Sequence, residues 1–82
     1  MATNDKNEGP QKIQLVLYQV SGTHHLATAI INGVNADGTV NLCQFPEPGS
    51  STLIDRPSVP YGGSLDGVSS VFDNKWGYPL FF

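Results

Sequence analysis

The sequence predicts a small all-β fold, and three observations carry that reading. Nine glycines and six prolines interrupt the 82 residues throughout, and such punctuation suits short strands and tight turns. Between the interruptions, apolar residues recur at period two, the spacing of a pleated strand. Finally, Asp37-Gly38 lies between two β-branched apolar runs, and Asp-Gly accepts the positive backbone torsions of a hairpin turn.

A chain of this length has room for one domain and no second core, and small domains bury a smaller share of their surface than large ones. A partner can supply the missing burial. Residues 1–11 combine Asn, Asp, Lys, Glu, Gly and Pro with almost nothing to bury. Ordering them would cost entropy without an apolar return, so they read as a flexible arm ahead of a domain at 12–82.

The first strand spans Lys12 to Val20, where Ile13, Leu15, Leu17 and Gln19 face one way and Val16, Tyr18 and Val20 offer a second apolar face. The pattern predicts a strand covered on both sides for part of its length. After the Ser21-Gly22-Thr23 turn, residues 24–34 form the second strand, with β-branched Thr28, Ile30, Ile31 and Val34 among small alanines. Residues 39–45 return antiparallel as the third, Val40 and Leu42 alternating with Thr39, Asn41, Cys43 and Phe45. Pro46, Pro48 and Gly49 break the chain before residues 51–59, the weakest pattern, where Pro57 predicts a strand that ends or bends at a sheet edge. Residues 68–74 fit either a short strand or one helical turn. The last segment, KWGYPLFF, places Trp76, Tyr78, Leu80 and Phe82 on one face of an edge strand containing Pro79.

Chemical signatures are sparse. Asn35, Asp37 and Gly38 stand in the order of a calcium loop, but Gly38 at its sixth position would put Gly33 and Gln44 where the first carboxylate and the bidentate glutamate belong. Those missing ligands favour a hairpin corner. His24-His25 and Cys43 have ligand chemistry, but adjacent strand residues point oppositely and no paired spacing accompanies them. Cys43, inside an apolar strand, reads as a small hydrophobe, and Ser64 as turn chemistry, because the hydrolase elbow needs glycine where Asp66 stands. No carboxylate pair suits general acid and base work. The expectation is a protein without catalytic residues, cofactor or metal.

Charge narrows the partners. The formal net charge is −3, and Lys6, Lys12, Arg56 and Lys75 are scattered, a poor basis for holding a phosphate backbone. No run approaches the length of a membrane span, and the N-terminus lacks the apolar core of a signal peptide. One cysteine and no Asn-x-Ser/Thr acceptor fit a reducing cytoplasm. These features predict neither a nucleic-acid nor a membrane partner.

The aromatic residues crowd at one end. Four of the eight, namely Trp76, Tyr78, Phe81 and Phe82, fall in the last seven positions. Either the whole segment closes a small barrel, or Trp76 and Tyr78 complete the core while Leu80, Phe81 and Phe82 dock on a neighbour. Trp76, Tyr78, Leu80, Phe81 and Phe82 are therefore the candidate partner-binding residues.

The stretch LATAIINGVNADGTVNLCQF (26–45), the later SVPYGG and the late KWGYP together resemble a group of small tailed-bacteriophage and prophage proteins. The resemblance implies a five-stranded SH3-like antiparallel barrel in which Ala29, Ile31, Val40 and Leu42 are core, Asp37 and Gly38 the hairpin, Pro60 and Tyr61 a turn, and Trp76 the closing residue. It also implies a virion component, made in the bacterial cytoplasm: a head-decoration or minor capsid protein that binds capsid neighbours, with association between copies open beside it. An early phage module that engages or inhibits a host protein is the alternative.

Overall fold

The computed structural model describes residues 13–46 and 49–79. The predicted arm at 1–11 and the residues Leu80, Phe81 and Phe82 lie outside them. Five antiparallel strands form one curled sheet: β1 (Leu15–Gln19), β2 (Leu26–Val34), β3 (Val40–Gln44), β4 (Ile54–Val59) and β5 (Trp76–Gly77). Their spatial order is β4-β3-β2-β1-β5, and the fold is the small SH3-like barrel expected.

The alternation read from the sequence sets the core. Val16 and Tyr18 of β1, Ala29 and Ile31 of β2, Val40 and Leu42 of β3, Val59 of β4 and Trp76 of β5 form one buried cluster, with Val20 and Tyr78 packed against it. The β2–β3 corner is the predicted hairpin. Asn35 accepts a bond from Gly38 N through its carbonyl and donates its own N–H to Thr39 O, and Gly38 takes a φ of 94°. Asp37 Oδ1 accepts from both the backbone N (3.0 Å) and the hydroxyl (2.7 Å) of Thr39. These bonds favour the ionised carboxylate and hold its pKa below the ordinary value.

Curvature comes from two bulges that meet at Asn41. In β2–β3 the register slips between Ile31 and Gly33, and in β3–β4 between Val40 and Leu42, each leaving one residue more on the outer strand than on β3. An extra residue bends its strand and increases the local twist. The Asn41 side-chain oxygen repairs part of the ladder, accepting from Ser58 N at 3.0 Å and from Asn35 Nδ2 at 3.2 Å.

Several details left open by the sequence are settled. Of the two outcomes expected at Pro57, edge strand β4 bends rather than ends: it runs on to Val59, because the bulge at Pro57 and Ser58 (φ 54°) takes up a residue that cannot donate to the ladder. Strand β1 is covered on both faces for part of its length, as expected: neighbouring Tyr18 and Gln19 are both buried, whereas Leu15 remains 55% exposed. Within residues 68–74, Ser70–Phe72 form a 3-10 turn, the helical one of the two alternatives. Of the strand expected over KWGYPLFF, the described residues, which end at Pro79, are strand at Trp76 and Gly77 only.

The two ends of the sheet meet at a seam. β5 pairs with β1 through Leu17↔Gly77 and Tyr18↔Trp76. On its other side, Trp76 N donates to Pro60 O (3.1 Å) and Gly62 N donates to Trp76 O (2.8 Å), a parallel bridge centred on Tyr61. Pro60 directly follows β4, so this bridge draws the sheet's opposite edges together. The backbones approach so closely that a Cβ on Gly77 would run into the Gly63 carbonyl oxygen.

Candidate functional site

Three aromatic rings cluster at the seam. The Trp76 centroid lies 4.8 Å from Tyr61 and 5.1 Å from Tyr78, and the two tyrosines are 5.9 Å apart, all tilted or edge-on. Such geometry sets positive ring edges against negative ring faces. Trp76 is 1% exposed and Tyr61 is 55% exposed, so the cluster passes from core to surface over two rings. The indole Nε1 of Trp76 is buried without a hydrogen-bond partner. Partial burial, with Tyr61 nearby, raises the Tyr78 phenol, opposed by a hydrogen bond with Gln14.

The candidate partner-binding residues divide accordingly. Trp76 belongs to the core, and Tyr78 is half-buried against it. Leu80, Phe81 and Phe82 follow directly after Pro79, where the described residues end.

A polar clamp, not read from the sequence, holds residues 66–74 over one end of the outer sheet face. Gln19 is fully buried there. Its Nε2 donates to Ser69 O (2.8 Å) and Asp73 Oδ1 (3.0 Å), and its Oε1 accepts from Gly67 N (3.0 Å). His24 Nδ1 lies 2.8 Å from the same Asp73 oxygen. These contacts, first that with His24 and then that with Gln19, hold the Asp73 carboxyl below its ordinary pKa. Asp66 caps the segment by accepting from Val68 N, Ser69 N and the Ser69 hydroxyl, which lowers its pKa as well.

Beyond the clamp, the outer face is apolar and open. Strand register places Leu15, Ile30 and Cys43 side by side across β1, β2 and β3, with Asp55 of β4 closing the row. The next row holds Leu17 opposite Thr28, and Phe45 donates its backbone N–H to Thr28 O. Leu15 and Phe45 are exposed, while Leu17, Ile30 and Cys43 are half-buried. Neither row carries a charge before Asp55.

The remaining candidates stay apart. His24 turns to Asp73, whereas His25 Nδ1 lies 2.6 Å from Thr23 Oγ1, so the adjacent imidazoles serve different partners. Among the described residues no group of three or more His, Cys, Asp or Glu is placed to hold a metal ion. Arg56 Nε donates to Gln44 Oε1 (2.9 Å), and its guanidinium lies over the Tyr18 ring at 5.1 Å. Burial raises the Tyr18 phenol, which donates to Asn74 Oδ1 at 2.6 Å. Ser64 is exposed in the loop after the seam. No helix among the described residues is long and apolar enough to cross a membrane. No family model, curated protein or solved structure matches the chain.

Proposed function

We propose that this chain is a non-enzymatic structural component of a bacteriophage particle, a head-decoration or minor capsid protein that binds neighbouring shell subunits through its C-terminal aromatic end. The observation that carries the reading is the completeness of the core. Among the described residues the inner face from Val16 to Trp76 is buried, with its largest side chains, Trp76, Tyr18 and Ile31, at 1% exposure or less. Leu80, Phe81 and Phe82 are three further large apolar residues after that core is closed. Apolar residues beyond the needs of a core favour association, and the open outer rows add surface of the same kind. The phage assignment rests on the resemblance of residues 26–45 and the later SVPYGG and KWGYP segments.

Such a module works by burying area between shell subunits and stabilises only the assembled state. Quantitative mass spectrometry of purified particles tests the reading. A decoration protein is present at a copy number comparable with the shell subunits. Absence from particles, with recovery of a bacterial protein in a pull-down from infected cells, would replace the reading with the host-directed module.

A further inference from the structure

The chain has a single arginine, and it stands on the inner face of the sheet. Register sets Arg56 of β4 directly opposite Leu42 of β3, a core residue, and the side chain reaches over Tyr18 at the end of the barrel where Gln44 also points inward. Two buried neighbours fix its position. Gln44 Oε1 accepts from Arg56 Nε at 2.9 Å, and the guanidinium lies 5.1 Å from the centre of the Tyr18 ring, whose hydroxyl is tied in turn to Asn74. Gln44 and Tyr18 are each 1% exposed, so both supports are held by packing. Much of the rotamer freedom of a long side chain is thus already lost on folding, which lowers what remains to be lost on binding.

Among the described residues this cation has no carboxylate partner. Asp37 turns to Thr39, Asp66 to Val68 and Ser69, and Asp73 to His24 and Gln19. Asp55 stands opposite Cys43 on the outer face. The ion pair found among these residues is that of His24 with Asp73. Arg56 is therefore half-buried between an amide and a ring, both neutral. Burial strips hydration from a charge, and neutral neighbours do not return an opposite one.

The free edge of the guanidinium says which anion fits. With Nε engaged by Gln44, the end-on edge of two Nη groups is left, and its parallel N–H donors match the two oxygens of a carboxylate. A phosphate dianion would call for a second cation. Lys75, next to Asn74, does not supply one, because its stem lies against Gly62 at the seam.

We infer that Arg56 is an anchor for a carboxylate of another molecule, held end-on by both Nη groups while Gln44 and Tyr18 keep the guanidinium in place. This site is separate from the C-terminal aromatic end, so either reading can fail without the other.

The test uses the full chain. Because Arg56 is the only arginine, the nitrogen resonances of its guanidinium are unambiguous. Replacing chloride with acetate at constant ionic strength should shift them along a saturating curve, and methyl phosphate should bind more weakly. Arg56→Lys keeps the charge but loses the fork, and should weaken acetate binding by about tenfold, read from the Gln44 side-chain amide, with the near-ultraviolet circular dichroism of the buried Trp76 unchanged. Two peptides separate the sources of the carboxylate, one carrying it only on a glutamate side chain and the other only at its C-terminus. Tighter binding of either than of acetate names the source. A guanidinium that does not saturate, or that responds to methyl phosphate as strongly as to acetate, would overturn the inference and leave Arg56 as a cover for Tyr18. So would a lysine variant that binds acetate as well as the parent. A guanidinium signal that moves on Glu47→Gln without added acetate would assign the counter-ion to the same chain and overturn it too.

Discussion

The two faces of β1 differ more than any other pair of surfaces in the molecule. Val16 and Tyr18, pointing inward, are almost wholly buried, while Leu15, one residue away, stands 55% exposed on the outer side. Similar side chains on one strand thus do different work. The inner face accounts for folding: its residues interdigitate with Ile31, Leu42 and Trp76 and release their apolar surface from water on closure of the seam. On the outer face the described residues leave Leu15 and Phe45 exposed, so folding withdraws less of their apolar surface from water.

Truncating each face in turn is the strongest way to break this comparison. Trp76→Ala should cost about 3–5 kcal/mol, a large part of the stability of a domain this size, whereas Leu15→Ala should stay within about 0.5 kcal/mol. Urea denaturation of both variants measures the gap. Equal costs would mean that the outer face is part of the folding core.

The clamp sharpens the comparison, because there the described residues bury part of the outer face, with Gln19 at 0% exposure. Gln19→Met keeps the volume but strips three hydrogen bonds, leaving buried backbone groups unpaired at about 1–3 kcal/mol. Faster amide exchange at Gly67 should accompany the loss. At the seam, Gly77→Ala pushes a methyl group against the Gly63 carbonyl, and such overpacking costs about 1–3 kcal/mol. Thermal unfolding should show the drop, with the Tyr61–Trp76 ring signals broadened.

A smaller effect concerns acid. Hydrogen bonds lower the folded pKa of Asp37, Asp66 and Asp73 below their unfolded values. Their contribution is therefore complete above the ordinary carboxylate range and is lost as the pH falls through the lowered folded values. Stability should be level near neutrality and decline below about pH 4, and Asp73→Asn should flatten part of that decline. Denaturation midpoints across this range provide the check.

Much of the inner face was legible in the sequence. Period-two spacing set Val40 and Leu42 on one face, the resemblance implied Ala29, Ile31, Val40 and Leu42 as core, and Asp37-Gly38 marked the hairpin by its backbone tolerance. The outer face was less so. Spacing put Gln19 on the face of Leu15 and Leu17 but gave no sign of its hydrogen bonds, because its partners Gly67, Ser69 and Asp73 lie about fifty positions away and only the curl brings them near. Asn41 likewise joins two bulges whose residues are distant in sequence, so nothing local decided whether β4 would end or bend at Pro57. Tyr61 was readable as a turn residue, but its stacking on Trp76 depends on the parallel bridge at the seam.

The central claim is that residues up to Pro79 fold the barrel and that Leu80, Phe81 and Phe82 serve association. Its most direct test is the double substitution Phe81→Ser and Phe82→Ser in the full chain, followed by urea denaturation and co-sedimentation with purified particles. The account predicts unfolding free energy within about 1 kcal/mol of the parent, together with loss of shell binding. A chain that unfolds, or one that binds shells as before, would contradict it.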